Sequence, residues 1–273
     1  MTSVSQSAPA FGPPRRIELR RITGLIRMTA LRSLRVRYRG TVLGVLWSFA
    51  NPVMMTIVYT AIFGTAYSSY YDGSIARYVL SAFTGLVVVT FFLGATTEAM
   101  ASVVGNGSLL NKIAVPPAVF PLAAIAANVF QQAVTTFPII IVLAAVITHD
   151  PLRVALVPFV LLTLIVLSAG IGLLLASLYV FFRDLPHLWG IAGFILWITS
   201  PLFYPAAIAS PQIRVWFAIN PVANEMAALR EVVNATGPLH VQPLLAAAAG
   251  ALVAAALGAA VFSALRRDFM DLL

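Results

Sequence analysis

Long stretches without a single charged side chain set the frame of this chain. A helix must run about 20 mostly apolar residues to cross a hydrocarbon layer roughly 30 Å thick, and six intervals meet that demand. Residues 42–67, inside the uncharged run from Arg39 to Asp72, form the first expected span. Residues 78–97 form the second, which continues past Glu98 toward Val104. The uncharged run 113–148 yields a third span that starts at about Leu122, because Pro116, Pro117 and Pro121 delay the helix. Residues 154–182 form a fourth. A fifth lies within 187–213 and is expected to end near Phe203, since Pro201 and Pro205 cannot propagate a helix. The alanine-rich segment 241–265 forms the sixth. Between the fifth and sixth, Pro205, Pro211, Pro221 and Pro238 set off two pieces, 213–219 and 222–234, too short to cross. They read as half-inserted or surface helices on the outer side, and their charges cancel, Arg214 and Arg230 against Glu225 and Glu231.

Ahead of the first span, Ile17, Leu19, Ile22, Leu25, Ile26, Leu31 and Leu34 are interleaved with arginines. That pattern suits an amphipathic helix over 17–36, lying in the headgroup plane with its apolar face in the acyl boundary. A solvated basic tail is the plainer alternative. Residues 1–16 read as a disordered Ser/Ala/Pro-rich tail and residues 37–273 as the six-span domain. The fold class expected is all-α and integral to the membrane, with an interfacial helix at the front and two short outer-side helices between spans five and six.

Composition sharpens this. Of 273 residues, 60% are hydrophobic and 10% charged, whereas a soluble domain carries about a quarter charged. The net charge of +8 comes from 17 basic against 9 acidic residues, with nine arginines before residue 40. Such clustering suits an anionic membrane surface or a negative partner better than a nucleic-acid groove. With an even number of spans, both termini share a side. Placing them inside gives that side Arg15, Arg16, Arg20, Arg21, Arg27, Arg32, Arg35, Arg37, Arg39, Lys112, Arg183, Arg266 and Arg267, and leaves Arg77, Arg153, Arg214 and Arg230 outside. The excess of positive charge makes the termini cytoplasmic. The first apolar run begins too late for a signal peptide. Without cysteine there is no disulfide framework and no thiolate chemistry, and the redox compartment stays open.

Candidates for catalysis are few. His149, His187 and His240 stand at span ends, and neither an H-E-x-x-H nor a G-x-S-x-G motif occurs. Glu98, the one acid inside an otherwise apolar stretch, lies near enough the cytoplasmic end of its span to reach the interface. The sole lysine, Lys112, precedes Ile113 and not a hydroxyl residue, so no phosphate-cradling loop is present and nucleotide-driven work falls to another polypeptide. Gly40 and Gly44 make a small-xxx-small pair that serves either close helix approach or a tight turn. Tyr59, Phe63, Phe91, Phe92, Trp197, Phe203, Tyr204 and Trp216 offer faces on which sugar rings could stack, or they belong to lipid-facing belts.

Taken together, LRSLRVRYRGTVLGVLWSFANPVMM (31–55), LLNKIAVPPAVFPLAAI (109–125), FFRDLPHLWGI (181–191), WITSPLFYP (197–205) and the INP at 219–221 with Arg230 downstream resemble the permeases of type-2 ABC exporters for O-antigen, teichoic acid and capsular polysaccharide. The resemblance runs from about Ile17 to the C-terminus. It implies a homodimer of this subunit with two copies of a cytoplasmic ATPase that uses ATP and Mg, no cofactor bound by this chain, no nucleic-acid partner, and a lipid diphosphate-linked glycan as substrate in a bacterial plasma membrane. It also implies that YRGTVLG is a cytoplasmic gate loop, with Tyr38, Arg39, Gly40, Leu43 and Gly44 making first contact with the glycan. Arg35, Arg37 and Arg39 suit phosphate oxygens by bidentate geometry, or set topology by charge alone. By the same likeness Gly105, Asn106, Gly107, Leu109, Leu110 and Lys112 form a coupling helix seated on the ATPase, assisted by Arg183 and Asp184. One departure is that Pro116 is followed by Pro117 and Ala118 where family members carry charge. Rival readings are an ABC exporter of a small molecule or lipid, a membrane enzyme of envelope synthesis, and a secondary carrier, the last disfavoured by scarce charge at depth.

Overall fold

The computed structural model describes the backbone of residues 15–41, 44–110, 115–234 and 237–272. Among these residues every regular element is a helix. Helix α1 (Arg15–Arg37) precedes a 3₁₀ turn (Gly44–Leu46) and α2 (Trp47–Tyr67). A second 3₁₀ turn (Ser68–Tyr71) leads to α3 (Ile75–Gly105), then the single turn α4 (Gly107–Leu110). There follow α5 (Val119–Val134), α6 (Thr136–Thr148), α7 (Pro151–Phe181), α8 (Leu185–Thr199), a 3₁₀ turn (Ala206–Ile208), α9 (Pro211–Ile219), α10 (Pro221–Val233), α11 (Val241–Leu265) and α12 (Phe269–Leu272).

Among the described residues, four helical stretches are long and apolar enough to cross a membrane: Gly44–Tyr71, Ile75–Gly105, Pro151–Phe181 and Val241–Leu265. The expected third span is a bent pair instead of one rod, because α5 and α6 meet at 45°. The break falls at Thr135, three residues before Pro138, whose ring has no N–H to offer and collides with the carbonyl four residues back. The Thr135 hydroxyl donates to the Gln131 carbonyl at 2.9 Å and eases the loss at the kink. The expected fifth span also changes. Helix α8 stops at Thr199, short of Phe203, since Pro201 follows Ser200, and its 15 residues cover only about 22 Å. A span count of six therefore needs both the bent pair and this short helix.

Helix α7 is the central post, with α3 on one flank and α11 on another. The α7–α11 contact is backbone on backbone. A Cβ on Gly258 would sit 2.0 Å from the Gly170 carbonyl oxygen, and one on Gly170 would sit 2.4 Å from the Ala254 carbonyl carbon. Between apolar helices in lipid, close approach through small residues replaces the hydrophobic drive that water supplies elsewhere. Helix α3 is the most enclosed element, and Val87, Val88, Phe91, Phe92 and Ala95 on it pack into the main core with Leu164 and Leu167 of α7.

The two short helices of the fifth-to-sixth connection differ from each other. Helix α9 is exposed along nearly its whole length, whereas α10 buries Val222, Ala223, Met226, Leu229, Val232 and Val233 against α3, α6, α7 and α11. The INP sequence explains its entry. The Asn220 side-chain oxygen accepts from the Val222 and Ala223 N–H groups at 3.0 and 3.4 Å, Pro221 fills the first helical position, and Asn220 Nδ2 donates to Ser200 Oγ at 3.2 Å. Asn220→Ala removes the cap and the tie together, so a loss of about 1–2 kcal/mol is expected, read as a lower thermal midpoint of the detergent-solubilised protein.

Candidate functional site

The N-terminal helix brings its charge to the bundle by packing a stripe of Ile26, Ala30, Leu34 and Tyr38 onto Ala123, Ala126 and Ala127 of α5. That part of its apolar face therefore meets protein and not the acyl boundary, while Met28 and Val36 stay exposed. At the end of the stripe, five side chains converge from the end of α1, from α3 and from α5. Arg37 forms an ion pair with Glu98 of α3 and donates to the Gln131 side-chain oxygen of α5 at 2.9 Å. The Tyr38 hydroxyl donates to that same Gln131 oxygen. Asn128 Nδ2 adds a 2.8 Å bond to the Glu98 carboxylate. Glu98 thus reaches a polar partner and not merely the interface. Arg35 and Arg39 project from this knot as exposed residues.

Gly40 and Gly44 both have left-handed backbones, φ 79° and 51°. A Cβ at either position would meet no atom within 4 Å, so the pair serves a turn and not helix packing. Leu43 lies outside the described residues.

From Tyr59 to the end of α2, every fourth residue is a ring. Tyr59 stacks on Phe203 with centroids 3.3 Å apart, Phe63 on Tyr59 at 6.1 Å, and Tyr67 on Phe63 at 5.7 Å. Tyr70 continues the series edge-on at 6.5 Å from Tyr67. The sequence reading leaves out Tyr67 and Tyr70, although the steps of four from Phe63 to Tyr67 and three from Tyr67 to Tyr70 carry the helical spacing. Trp197 lies tilted beside Phe203, Tyr204 beside Phe217, and Trp216 is exposed on α9. Burial pushes the Tyr204 phenol above its usual range, and the nearby Arg230 charge offsets part of that rise. Phe91 and Phe92 take no part in this surface. Both are about 2% exposed, Phe91 against Phe137 and Phe92 against Trp189, so the expectation that they line a path is corrected: they are core residues of α3.

The turn after α3 is also partly internal. Gly107 and Leu110 are buried, Leu110 with Val103, Phe120, Val180 and Phe262, and Leu109 is packed alongside. These side chains anchor the turn and are not its outer face. Gly105 and Ser108 are exposed, and Asn106 folds back to donate to the Ser102 carbonyl at 2.8 Å. Lys112 lies outside the described residues. Arg183 and Asp184 are exposed between α7 and α8, with Arg183 donating to the Leu272 carbonyl at 3.3 Å.

Two polar groups that the sequence shows only as loop charges are buried or part-buried. Glu225, on α10, is fully enclosed; Thr163 donates to one of its oxygens at 2.9 Å and the other has no partner among the described residues. Arg230 lies across Gly85, where a Cβ would come within 2.9 Å of its guanidinium, and donates to the Ser81 and Leu202 carbonyls at 3.0 Å. Asn128, Gln131 and Gln132 are spaced on one helical face of an apolar segment, which was the available signal for the knot around Glu98.

The profile of the ABC-2 type transporter family matches residues 25–233. Among curated relatives, the chain is 26% identical to the O-antigen export system permease protein RfbA of Myxococcus xanthus, over 93% of this chain and 97% of that one. It is likewise 26% identical to the RfbA permease of Klebsiella pneumoniae, over 89% and 92%. The capsule polysaccharide export inner-membrane protein CtrC of Neisseria meningitidis serogroup B is 24% identical over 75% and 76%.

Proposed function

Because the chain belongs to the ABC-2 type transporter family, whose membrane subunits leave ATP hydrolysis to a separate subunit, we propose that it is the permease of an exporter for a lipid-linked polysaccharide. The cargo class is an O-antigen, teichoic acid, capsule or galactan type of glycan, moved outward across the bacterial inner membrane with both termini of the permease cytoplasmic. Near end-to-end likeness to permeases named for O-antigen export supports the cargo. The single structural observation that carries it is the ladder of rings Phe203, Tyr59, Phe63 and Tyr67. Stacked aromatics spaced along one helix hold successive sugar faces weakly, which lets a polymer slide where a tight site would stall it.

Helix α2 has few buried residues, and Met54, Ile57, Val58 and Ile62 are exposed on it; α8 likewise exposes Leu188, Ile191, Phe194 and Ile198. We read these two faces as the seam with a second copy of this chain, completing a passage of twelve spans in which α8 and the bent α5–α6 pair each count as one. The α4 turn then seats on the ATPase through its exposed side, assisted by Arg183 and Asp184; the sequence assigns Lys112 to the same contact. At the cytoplasmic mouth, the exposed Arg35 and Arg39 take the diphosphate of the lipid carrier through bidentate contacts, and the Gly40–Gly44 turn forms the gate with Leu43. Helices α9 and α10 close the outer end.

Deleting the gene is expected to trap lipid-linked glycan in the cytoplasm, seen by extraction and sugar analysis; unchanged surface glycan with no such build-up defeats the proposal. Accumulation of a small molecule or lipid instead moves the cargo to that class. Arg39→Ala is expected to cut export severalfold while the ATPase still co-purifies in full amount.

A further inference from the structure

The ring ladder ends at a cavity that the reading above does not use. Tyr70, the last ring, stands at the mouth of a cleft of about 460 Å³ between the Ser68–Tyr71 turn, α3, α10 and the Pro201–Ala207 segment. That volume falls within the roughly 300–1,000 Å³ usual for small-molecule sites. Its lining differs from the apolar clefts elsewhere on the molecule. It holds the guanidinium groups of Arg77 and Arg230, the carboxylates of Asp72 and Glu231, the Asn234 amide and the Tyr71 ring.

The chemistry selects among ligands. Two cations and two anions leave no net charge, which argues against a free phosphate or another anion as the guest. Asp72 already pairs with Arg77 at 2.5 Å, and Glu231 accepts from the His240 backbone N–H at 2.8 Å. Asn234 Nδ2 donates to the Arg77 carbonyl at 2.9 Å, yet its buried Oδ1 accepts nothing among the described residues. An enclosed acceptor left open costs stability unless a ligand or water supplies the donor. Tyr70 adds an open ring, 54% exposed. Dense donors and acceptors without net charge, beside one bare aromatic face, suit a neutral polyhydroxylated ring.

We propose that this cleft is an exit subsite for one saccharide unit, in which Tyr70 stacks on the ring while Asn234 Oδ1, Asp72 and the Arg230 guanidinium bond its hydroxyls. It rests on the glycan-export reading and adds a station where the emerging chain is held after it leaves the ladder. Retention there hinders backward slippage between strokes of the ATPase.

The chain has no cysteine, so one introduced thiol is the only one on this subunit, and labelling is read on the purified permease. Ala227→Cys on α10 and Ala207→Cys, two exposed lining positions that the proposal gives no bond to the sugar, are treated with a membrane-impermeant maleimide, with Gln212→Cys on exposed α9 as reference. Cells making the glycan are compared with cells whose glycan synthesis is blocked upstream. The expected result is labelling several times slower at both cleft positions when glycan is made, with no change at 212. Ala207→Cys keeps the test decisive if Ala227→Cys fails to fold. Equal labelling in both kinds of cell, while surface glycan still appears, overturns the subsite and leaves the export reading standing. Absence of any export defect on gene deletion overturns the export reading itself.

Discussion

Gly170→Leu is expected to leave almost no monodisperse protein after detergent extraction. The α-carbon of Gly170 lies so near α11 that even one added methyl would fall 2.4 Å from the Ala254 carbonyl carbon and 2.5 Å from its oxygen. The obstacle is backbone, so no rotamer change relieves it. Only separating α7 from α11 does, and that opens the most extensive helix pair in the molecule. Overpacking a core costs about 1–3 kcal/mol when side chains can shift; here the neighbours cannot, and the whole contact is at risk. Gly258→Leu is expected to behave the same way, since its partner is the Gly170 carbonyl. Gly24→Ala in α1 is the control. No atom lies within 4 Å of a Cβ there, and replacing a helical glycine gains up to about 1 kcal/mol. Normal yield from Gly170→Leu would show that α7 and α11 do not pack through these glycines.

Glu98→Ala is expected to lower export by roughly tenfold or more without loss of the ATPase. Hydrogen bonds to charged groups contribute about 1.5–3 kcal/mol each, and 1.4 kcal/mol is a factor of ten. Removing this carboxylate strips one acceptor from Arg37 and one from Asn128, leaving them, among the described residues, only the Gln131 side-chain oxygen and the Ala124 carbonyl. The effect on transport comes from position. Glu98 stands seven residues before Gly105, about 10 Å along α3, and α3 runs straight into the α4 turn proposed to sit on the ATPase. Arg37 lies at the other end of the link, immediately before the proposed gate loop. Movement at the turn would thus reach the gate through one ion pair. Arg37→Glu faces two carboxylates toward each other and is expected to be worse than Glu98→Ala. Exchanging both, Arg37→Glu with Glu98→Arg, is expected to restore part of the lost export. Wild-type export by Glu98→Ala, measured as surface glycan per unit of permease, would show the pair to be idle. Failure of the exchanged pair, with each variant present at normal level, would place the coupling elsewhere.

The value of α10 to the site was the least readable part of the chain. Its mixed composition, with Glu225 and Arg230 among small apolar residues, fitted a half-inserted helix as well as a surface one. Packing against four other helices places it inside. Arg230 reads along the chain as one outer charge among four. In space it crosses Gly85 and joins the Tyr70 cleft, an arrangement that depends on residues about 150 positions apart. Phe91 and Phe92 mislead in the opposite sense. An aromatic pair in an apolar helix carries no local mark of which face will be covered, and α3 is covered nearly all round.

Local chemistry alone determined the all-helical class, the presence of long apolar helices, the interruption of the 205–243 connection by prolines and the exclusion of a phosphate-cradling loop. Each depends on neighbours within a few residues: the backbone must bond to itself in lipid, proline cannot donate, and a motif is either spelled out or it is not. The tertiary structure alone decided that Gly170 and Gly258 touch, that Arg37 grips Glu98, and that the rings of α2 lead to a polar cleft. Those are contacts between distant segments, and they are set by the shape of the space that other helices leave.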